Sequence, residues 1–135
     1  MKIKTIEPHQ SSIGIDSKII SIILFTIIAV AYIFNFGIVL FVPIVLFFVE
    51  KRSNFVKYQS ALAFIIVIIQ SAITQLSPFI LFLPILMQAW ILVLLFDVII
   101  KVIFTIVHIY IIYHAYRYKQ IYFPQIANIV DKFCK

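Results

Sequence analysis

Cysteine occurs once, at Cys134, and glycine only twice, at Gly14 and Gly37. A single thiol excludes an internal disulfide framework and any Cys/His metal spacing. Two glycines are too few for a glycine-rich phosphate loop, and no GxSxG turn or paired-carboxylate site is present. Charge is scarce as well: 12% of the residues are charged, eleven basic against five acidic. The net charge of +6 does not describe a nucleic-acid surface, because the bases stand in short clusters beside apolar runs rather than in a solvated patch with stacking aromatics. The expectation is therefore a protein that is not an enzyme, with no catalytic residue, metal, cofactor or nucleic-acid partner.

What the chain has in abundance is hydrocarbon. Of its 135 residues 64% are apolar and 16% aromatic, where a soluble domain is about half apolar. Three apolar blocks run over residues 19–49, 61–73 and 79–113. A helical crossing takes ~20 residues for ~30 Å of hydrocarbon, so the chain has room for a few spans and none for a separate soluble enzyme domain. Ala29-Val30-Ala31 imitates a signal-peptide cleavage site, but the apolar run continues through it to Val49, which predicts an uncleaved first span.

Charge placement orders the spans. Lys2, Lys4 and Lys18 precede the first block; Lys51, Arg52 and Lys57 follow it; Arg117, Lys119, Lys132 and Lys135 follow the last. The positive-inside tendency places all three basic segments in the cytoplasm, so an even number of crossings separates each pair. The expected fold is all-α: a polytopic protein of the cell (plasma or inner) membrane with four transmembrane helices near 18–35, 38–50, 58–77 and 87–116; the alternative has three spans, with 19–49 as one kinked helix and Lys51, Arg52 and Lys57 outside. The second is short, a tight turn falls at Asn35-Phe36-Gly37, and an outer connection runs from Ser77-Pro78 to Pro84. Residues 1–17 form a polar leader, 18–116 the four-helix domain, and 117–135 a basic, tyrosine-rich exit with a short amphipathic helix. Both termini are expected in the cytoplasm. In the tail Ile126, Ile129, Val130 and Phe133 share one face, suited to a membrane surface or to the base of the bundle.

Between the second and third expected helices stands Glu50-Lys51-Arg52-Ser53-Asn54-Phe55-Val56-Lys57-Tyr58-Gln59, and after the fourth Ala115-Tyr116-Arg117-Tyr118 leads on to Phe123-Pro124. Bases meeting lipid phosphates, with Phe55 and Tyr58 at headgroup depth, account for the first on chemistry alone. In this order and around this helix count, the two segments resemble a family of small four-span proteins. It contains the twenty-kilodalton component of the chloroplast inner-envelope translocon and prokaryotic relatives of unknown function. The resemblance rests on Glu50, Phe55, Val56, Lys57, Tyr58, Ala115 and Pro124, with Arg117 in the basic exit. The sequence departs from the pattern at Gln59-Ser60, where the family has His-Ala, and at Tyr118, where it has glycine. The resemblance implies a four-helix membrane fold and no catalytic site; translocation belongs to the plastid member.

The last apolar block also holds Asp97, Lys101 and His108 on one helical stripe, Lys101 about 40° and His108 about 20° from Asp97 around the axis. Gln70 and Thr74 form a comparable polar arc on the preceding helix. A charge at mid-membrane costs ~2.5–3.5 kcal/mol on insertion scales, so the stripe is a candidate ion path. The same residues also suit interhelical glue, because Asp97 and Lys101 at i,i+4 neutralise each other. With Trp90 at the outer interface and Tyr113 with Tyr116 at the inner one, Asp97 lies near the outer boundary with Lys101 reaching back to it, and His108 lies toward the other side. His9 reads as a solvated leader residue and His114 as part of the tyrosine belt. The expected function is a small scaffold, or a pore-forming or assembly subunit, with membrane lipids and other membrane proteins or its own copies as partners. Two alternatives stand beside it: a small ion- or proton-coupled transporter or channel using the polar stripe, and a holin-like lysis pore.

Overall fold

The computed structural model describes residues 2–34, 41–81 and 90–133. The fold is predominantly helical: α1 (Ser17–Ile33), α2 (Phe41–Val49), α3 (Asn54–Leu81), α4 (Trp90–Tyr116) and α5 (Pro124–Phe133). One small sheet departs from the all-α expectation. β1 (Lys2–Thr5) pairs antiparallel with β2 (Lys119–Tyr122), Lys2 opposite Tyr122 and Thr5 opposite Lys119. The backbone donors and acceptors of leader and exit thus satisfy each other, and the Ile6 N–H continues the ladder to the Tyr118 carbonyl at 2.9 Å.

Helix starts are set by side chains that accept otherwise orphaned backbone N–H groups. Asp16 caps α1, accepting from the Lys18 N–H at 2.9 Å. Ser53 caps α3, accepting from the Val56 N–H at 3.1 Å. This cap begins α3 at Asn54, before the expected start at residue 58, and draws Phe55 and Tyr58 inward. Phe55 is 1% exposed and Tyr58 2%, which corrects their expected place among lipid headgroups. At its far end α3 runs through Ser77 and Pro78 to Leu81 rather than breaking there. A proline removes one helical hydrogen bond, which a long apolar helix tolerates more readily than a broken ladder.

Four helix ends meet at one base. Ser12, just before α1, is bonded to Glu50, just after α2; Phe55 at the start of α3 stacks 6.1 Å from Tyr118, just after α4. The helices therefore run up, down, up and down. Between them Leu24, Phe25 and Ile28 of α1 pack with Leu62, Ala63 and Ile66 of α3, joined by Ile111 of α4. Helix α5 closes the base with Ile126 and Val130 against this core, so its apolar face serves the bundle. The side chains of Ile129 and Phe133 lie outside the described residues.

Two helical stretches, Asn54–Gln75 and Leu94–Tyr116, are long and apolar enough to cross a membrane. Four such helices were expected among the residues, and the structure supplies two among those described. α1 is apolar but has 17 residues, a rise of ~25 Å, and α2 has 9, a rise of ~13 Å, against ~30 Å of hydrocarbon. The turn expected at Asn35-Phe36-Gly37, the Pro84 connection and Cys134 lie outside the described residues.

Tyr58 fastens the long helix to the exit. Its hydroxyl donates to the Ile121 carbonyl at 3.0 Å and accepts from the Phe123 N–H at 2.6 Å. Tyr58→Phe removes the partner of the buried Ile121 carbonyl and of the part-buried Phe123 N–H. It should lower stability by about 1–3 kcal/mol in unfolding experiments on detergent-solubilised protein; an unchanged midpoint would show that the exit is held elsewhere.

Candidate functional site

Polar contacts concentrate where the leader crosses the α2–α3 loop. Glu50 has no exposed surface. Its Oε1 accepts from the Ser12 N–H at 2.9 Å, the Ser12 hydroxyl at 2.7 Å, and the Arg52 and Ser53 N–H groups at 2.9 Å each. Ser12 Oγ in turn accepts from the Lys51 and Arg52 N–H groups at 2.7 and 2.9 Å. The carboxylate thus fastens the leader and the α2–α3 loop to one point. Its second oxygen, Oε2, is buried without a partner. Burial pushes the Glu50 carboxyl up, yet the donors from Ser53, Ser12 and Arg52 outweigh it and hold the group below its ordinary value.

His9 belongs to the same cluster and is not a free leader residue. Its Nδ1 donates to the Glu7 carbonyl at 2.8 Å, which leaves Nε2 to accept the Ser53 hydroxyl at 2.7 Å. The leader reaches this place through a tight reversal in which Ser11 accepts the Gly14 N–H at 3.0 Å and Gly14 takes φ +79°. Glycine adopts that left-handed geometry without the strain a side chain adds.

A second fastening joins α1 to the exit. The Tyr118 hydroxyl donates to Asp16 Oδ1, and Lys18 lies over the rings of Tyr116 and Tyr118 at 5.7 and 5.4 Å. The Tyr118 hydroxyl holds the Asp16 carboxyl below its ordinary range, against some burial, with help from the Lys18 N–H and charge. Burial and the same carboxylate push the phenol up to about 12. Tyr118 is also the only described non-glycine residue in the left-handed region, at φ 52°. That geometry ends α4, letting the Tyr118 N–H reach the Ala115 carbonyl at 3.0 Å.

The other residues singled out from the sequence fall into place around these fastenings. Val56 and Ala115 are fully buried, Lys57 is half-buried, and Arg117 stacks on Tyr113 at 4.6 Å. Pro124 opens α5 at the position where a missing N–H costs nothing. His114 is buried, its Nδ1 donating to the Tyr110 carbonyl at 2.9 Å, which removes it from the expected surface belt.

On the polar stripe the structure brings Lys101 and Asp97 together at 2.9 Å, the lysine side chain 22% exposed and the aspartate 41%. His108 stands apart from them. It is fully buried, its Nδ1 donates to the Phe104 carbonyl at 2.6 Å, and its ring meets Phe25 of α1 edge-on at 6.1 Å. Nε2 of His108 and Nε2 of Gln70 are both buried without a partner; Thr74 is half-buried. Among the described residues no three His, Cys, Asp or Glu side chains gather as a metal site.

Sequence reasoning missed Ser12, His9, Asp16 and the Tyr118 hydroxyl. For Asp16 a signal existed, since an aspartate directly before an apolar helical run is a capping pattern. No local pattern announces Ser12, whose role depends on a carboxylate 38 residues away. In comparisons with protein-family models, curated proteins and solved structures, nothing matches this chain at a significant level.

The shifted groups define a pH window. Asp16 and Glu50 are lowered from 3.8 and 4.5, so their contribution is full above the ordinary carboxylate range and fades as pH falls through the folded values. Tyr118 is raised from 10.0 to about 12, so its contribution is full below the ordinary phenol range and fades as pH climbs toward about 12. The part of the thermal midpoint that these three groups contribute should therefore be level from about pH 5 to about pH 10 and decline on both sides. In Tyr118→Phe the alkaline decline should be shallower; an identical alkaline limb would refute this assignment.

Proposed function

We propose that the chain is a non-enzymatic, multi-pass integral membrane protein with its polar base in the cytoplasm, acting as a small scaffold or as a pore-forming or assembly subunit. The observation that carries this reading is an inverted distribution of side chains. Ile99, Val102, Ile106 and Ile109 of α4 are exposed, the last two at 60% each, while Gln59, Gln70 and His108 are buried. A water-soluble monomer rarely leaves so long an apolar face uncovered, and lipid tails cover it at no cost. Lipids are the first partners on this reading, and other membrane proteins or further copies of the chain would meet the same face of α4.

The four-span topology draws support from the base. With all four helix ends there, Lys4, Lys18, Lys51, Arg52 and Lys119 gather on one side, as the positive-inside tendency asks of a cytoplasmic surface. The resemblance to the translocon-component family draws support from Tyr118, whose φ of 52° falls where the family pattern has glycine. A glycine there would adopt the same geometry freely. Scaffold or assembly work fits the use made of the polar groups, since Glu50, His9, Asp16 and Tyr58 tie segments of the chain together.

One observation favours the second reading, a proton- or ion-coupled channel. The unpartnered nitrogens of His108 and Gln70 are the kind of buried polar atoms that line internal water. The 2.9 Å Asp97–Lys101 pair weighs against it, because two neutralised charges hold no spare charge for a passing ion.

Two measurements test these readings. In a Cys134→Ser background, Lys51→Cys and Gln125→Cys should react with a membrane-impermeant maleimide only from the cytoplasmic side; opposite sidedness would overturn the four-span topology. Reconstituted wild type and Lys101→Leu should show equal ion flux if the stripe is structural, whereas a flux lost in the folded variant would establish the channel.

A further inference from the structure

Beside the Glu50 cluster a cavity of about 680 Å³ opens between β1, the start of α3, β2 and α5. Its size falls within the range of small-ligand sites, ~300–1,000 Å³. The floor is formed by the buried side chains of Phe55, Tyr58, Gln120 and Val130. The rim carries Lys4, Glu7 and Arg52, all exposed.

These three rim charges are unspent. Among the described residues the ion pair is that of Asp97 with Lys101, and no hydrogen bond engages the side chain of Lys4, Glu7 or Arg52. Neighbouring polar groups, by contrast, are tied up: His9 on Ser53, Glu50 on Ser12, Tyr58 on the exit backbone. Two cations and one carboxylate around a floor of mixed apolar and polar side chains complement a ligand that carries both signs. An arginine fork matches two phosphate oxygens, and a lysine supplies a compact second charge. The first residues of α3, Asn54 and Phe55, line the same wall. A carboxylate takes a primary ammonium through hydrogen bonds that a trimethylammonium cannot form.

We propose that this cavity binds a phosphoethanolamine group, the phosphate between Lys4 and Arg52 and the ammonium at Glu7, with the remainder of the ligand against Phe55 and Val130. The headgroup of a zwitterionic aminophospholipid is the source that suits a cavity at the base of a membrane bundle. That source rests on the membrane reading above, while the headgroup chemistry does not.

The test uses the full chain in mild detergent, with short-chain phosphatidylethanolamine, phosphatidylcholine and phosphatidylglycerol, and water-soluble phosphoethanolamine and inorganic phosphate, as probes in titration calorimetry. Phosphatidylethanolamine should bind about tenfold more tightly than the other two lipids, the gain expected of one charge-assisted contact. Arg52→Gln should weaken it about tenfold, and Glu7→Gln should abolish the preference over phosphatidylcholine while leaving phosphate-dependent binding intact. Both side chains are exposed, so the variants retain the backbone contacts of the base. Competition by soluble phosphoethanolamine supports the headgroup as the recognised unit. Tight lipid binding that soluble phosphoethanolamine does not displace supports a lipid whose chains are also held. Equal binding of the three lipids, binding of inorganic phosphate alone, or indifference to both substitutions would overturn the proposal. If labelling fails to show a cytoplasmic base while soluble phosphoethanolamine still binds with the expected variant effects, the membrane reading falls and the site stands.

Discussion

The Glu50 carboxylate lies with no exposed surface where the leader, the α2–α3 loop and the start of α3 converge, and one of its oxygens accepts four hydrogen bonds. A buried carboxylate is tolerable only when donors replace the water it gave up; Glu50 is in turn the acceptor for the Ser12 and Ser53 N–H groups, while the Arg52 N–H also reaches Ser12 Oγ. The requirement runs in both directions. Glu50 needs Ser12, so the leader must fold back across the loop; Ser12 needs Glu50, so α2 must return to the end from which α1 departs. Once that point is fixed, His9 reaches Ser53, Ser53 caps α3, and α3 carries Phe55 and Tyr58 to the exit segment.

The exit is secured by different chemistry at the same level. Tyr118 holds a left-handed backbone without being glycine, which L-residues avoid for steric reasons. Its phenol on Asp16 and its ring against Phe55 supply compensating contacts. The reversed chain then runs as β2 beside β1 and ends in α5, whose Ile126 and Val130 cover the lower core. Polar contacts thus order the base, and apolar packing follows from where they place the helices. Above the base the arrangement is reversed, with isoleucines and valines turned outward and a few amides and a histidine inside. The cavity at Lys4, Glu7 and Arg52 lies where the polar base and the apolar bundle meet.

Much of the helical layout was legible because long apolar blocks and charge clusters are local signals. The expected helix near 18–35 corresponds to α1 at Ser17–Ile33, and that near 87–116 to α4 at Trp90–Tyr116. The amphipathic tail was visible as an i, i+3, i+4 pattern and forms α5. The Asp97–Lys101 pair followed from i,i+4 spacing and the direction in which helical side chains lean. Helix bounds were less legible where a cap decided them: Ser53 starts α3 early, and Pro78 does not stop it. His9 and His114, read as surface residues, are both held by hydrogen bonds, because a short polar or aromatic neighbourhood carries no mark of which side chains will turn inward.

By itself the sequence determined the class of element and the places of the charges: helices wherever apolar runs are long enough, and bases gathered at their ends. These follow from composition and near-neighbour spacing, which act over a turn or two of chain. Tertiary structure alone decided that Ser12 meets Glu50, that Asp16 meets Tyr118, and that Lys2–Thr5 pairs with Lys119–Tyr122. It also decided which face of α4 turns outward. The physical reason is that each of these contacts satisfies a buried polar group with a partner far away in the chain, and such a partner is selected by the folded geometry and not by any local pattern.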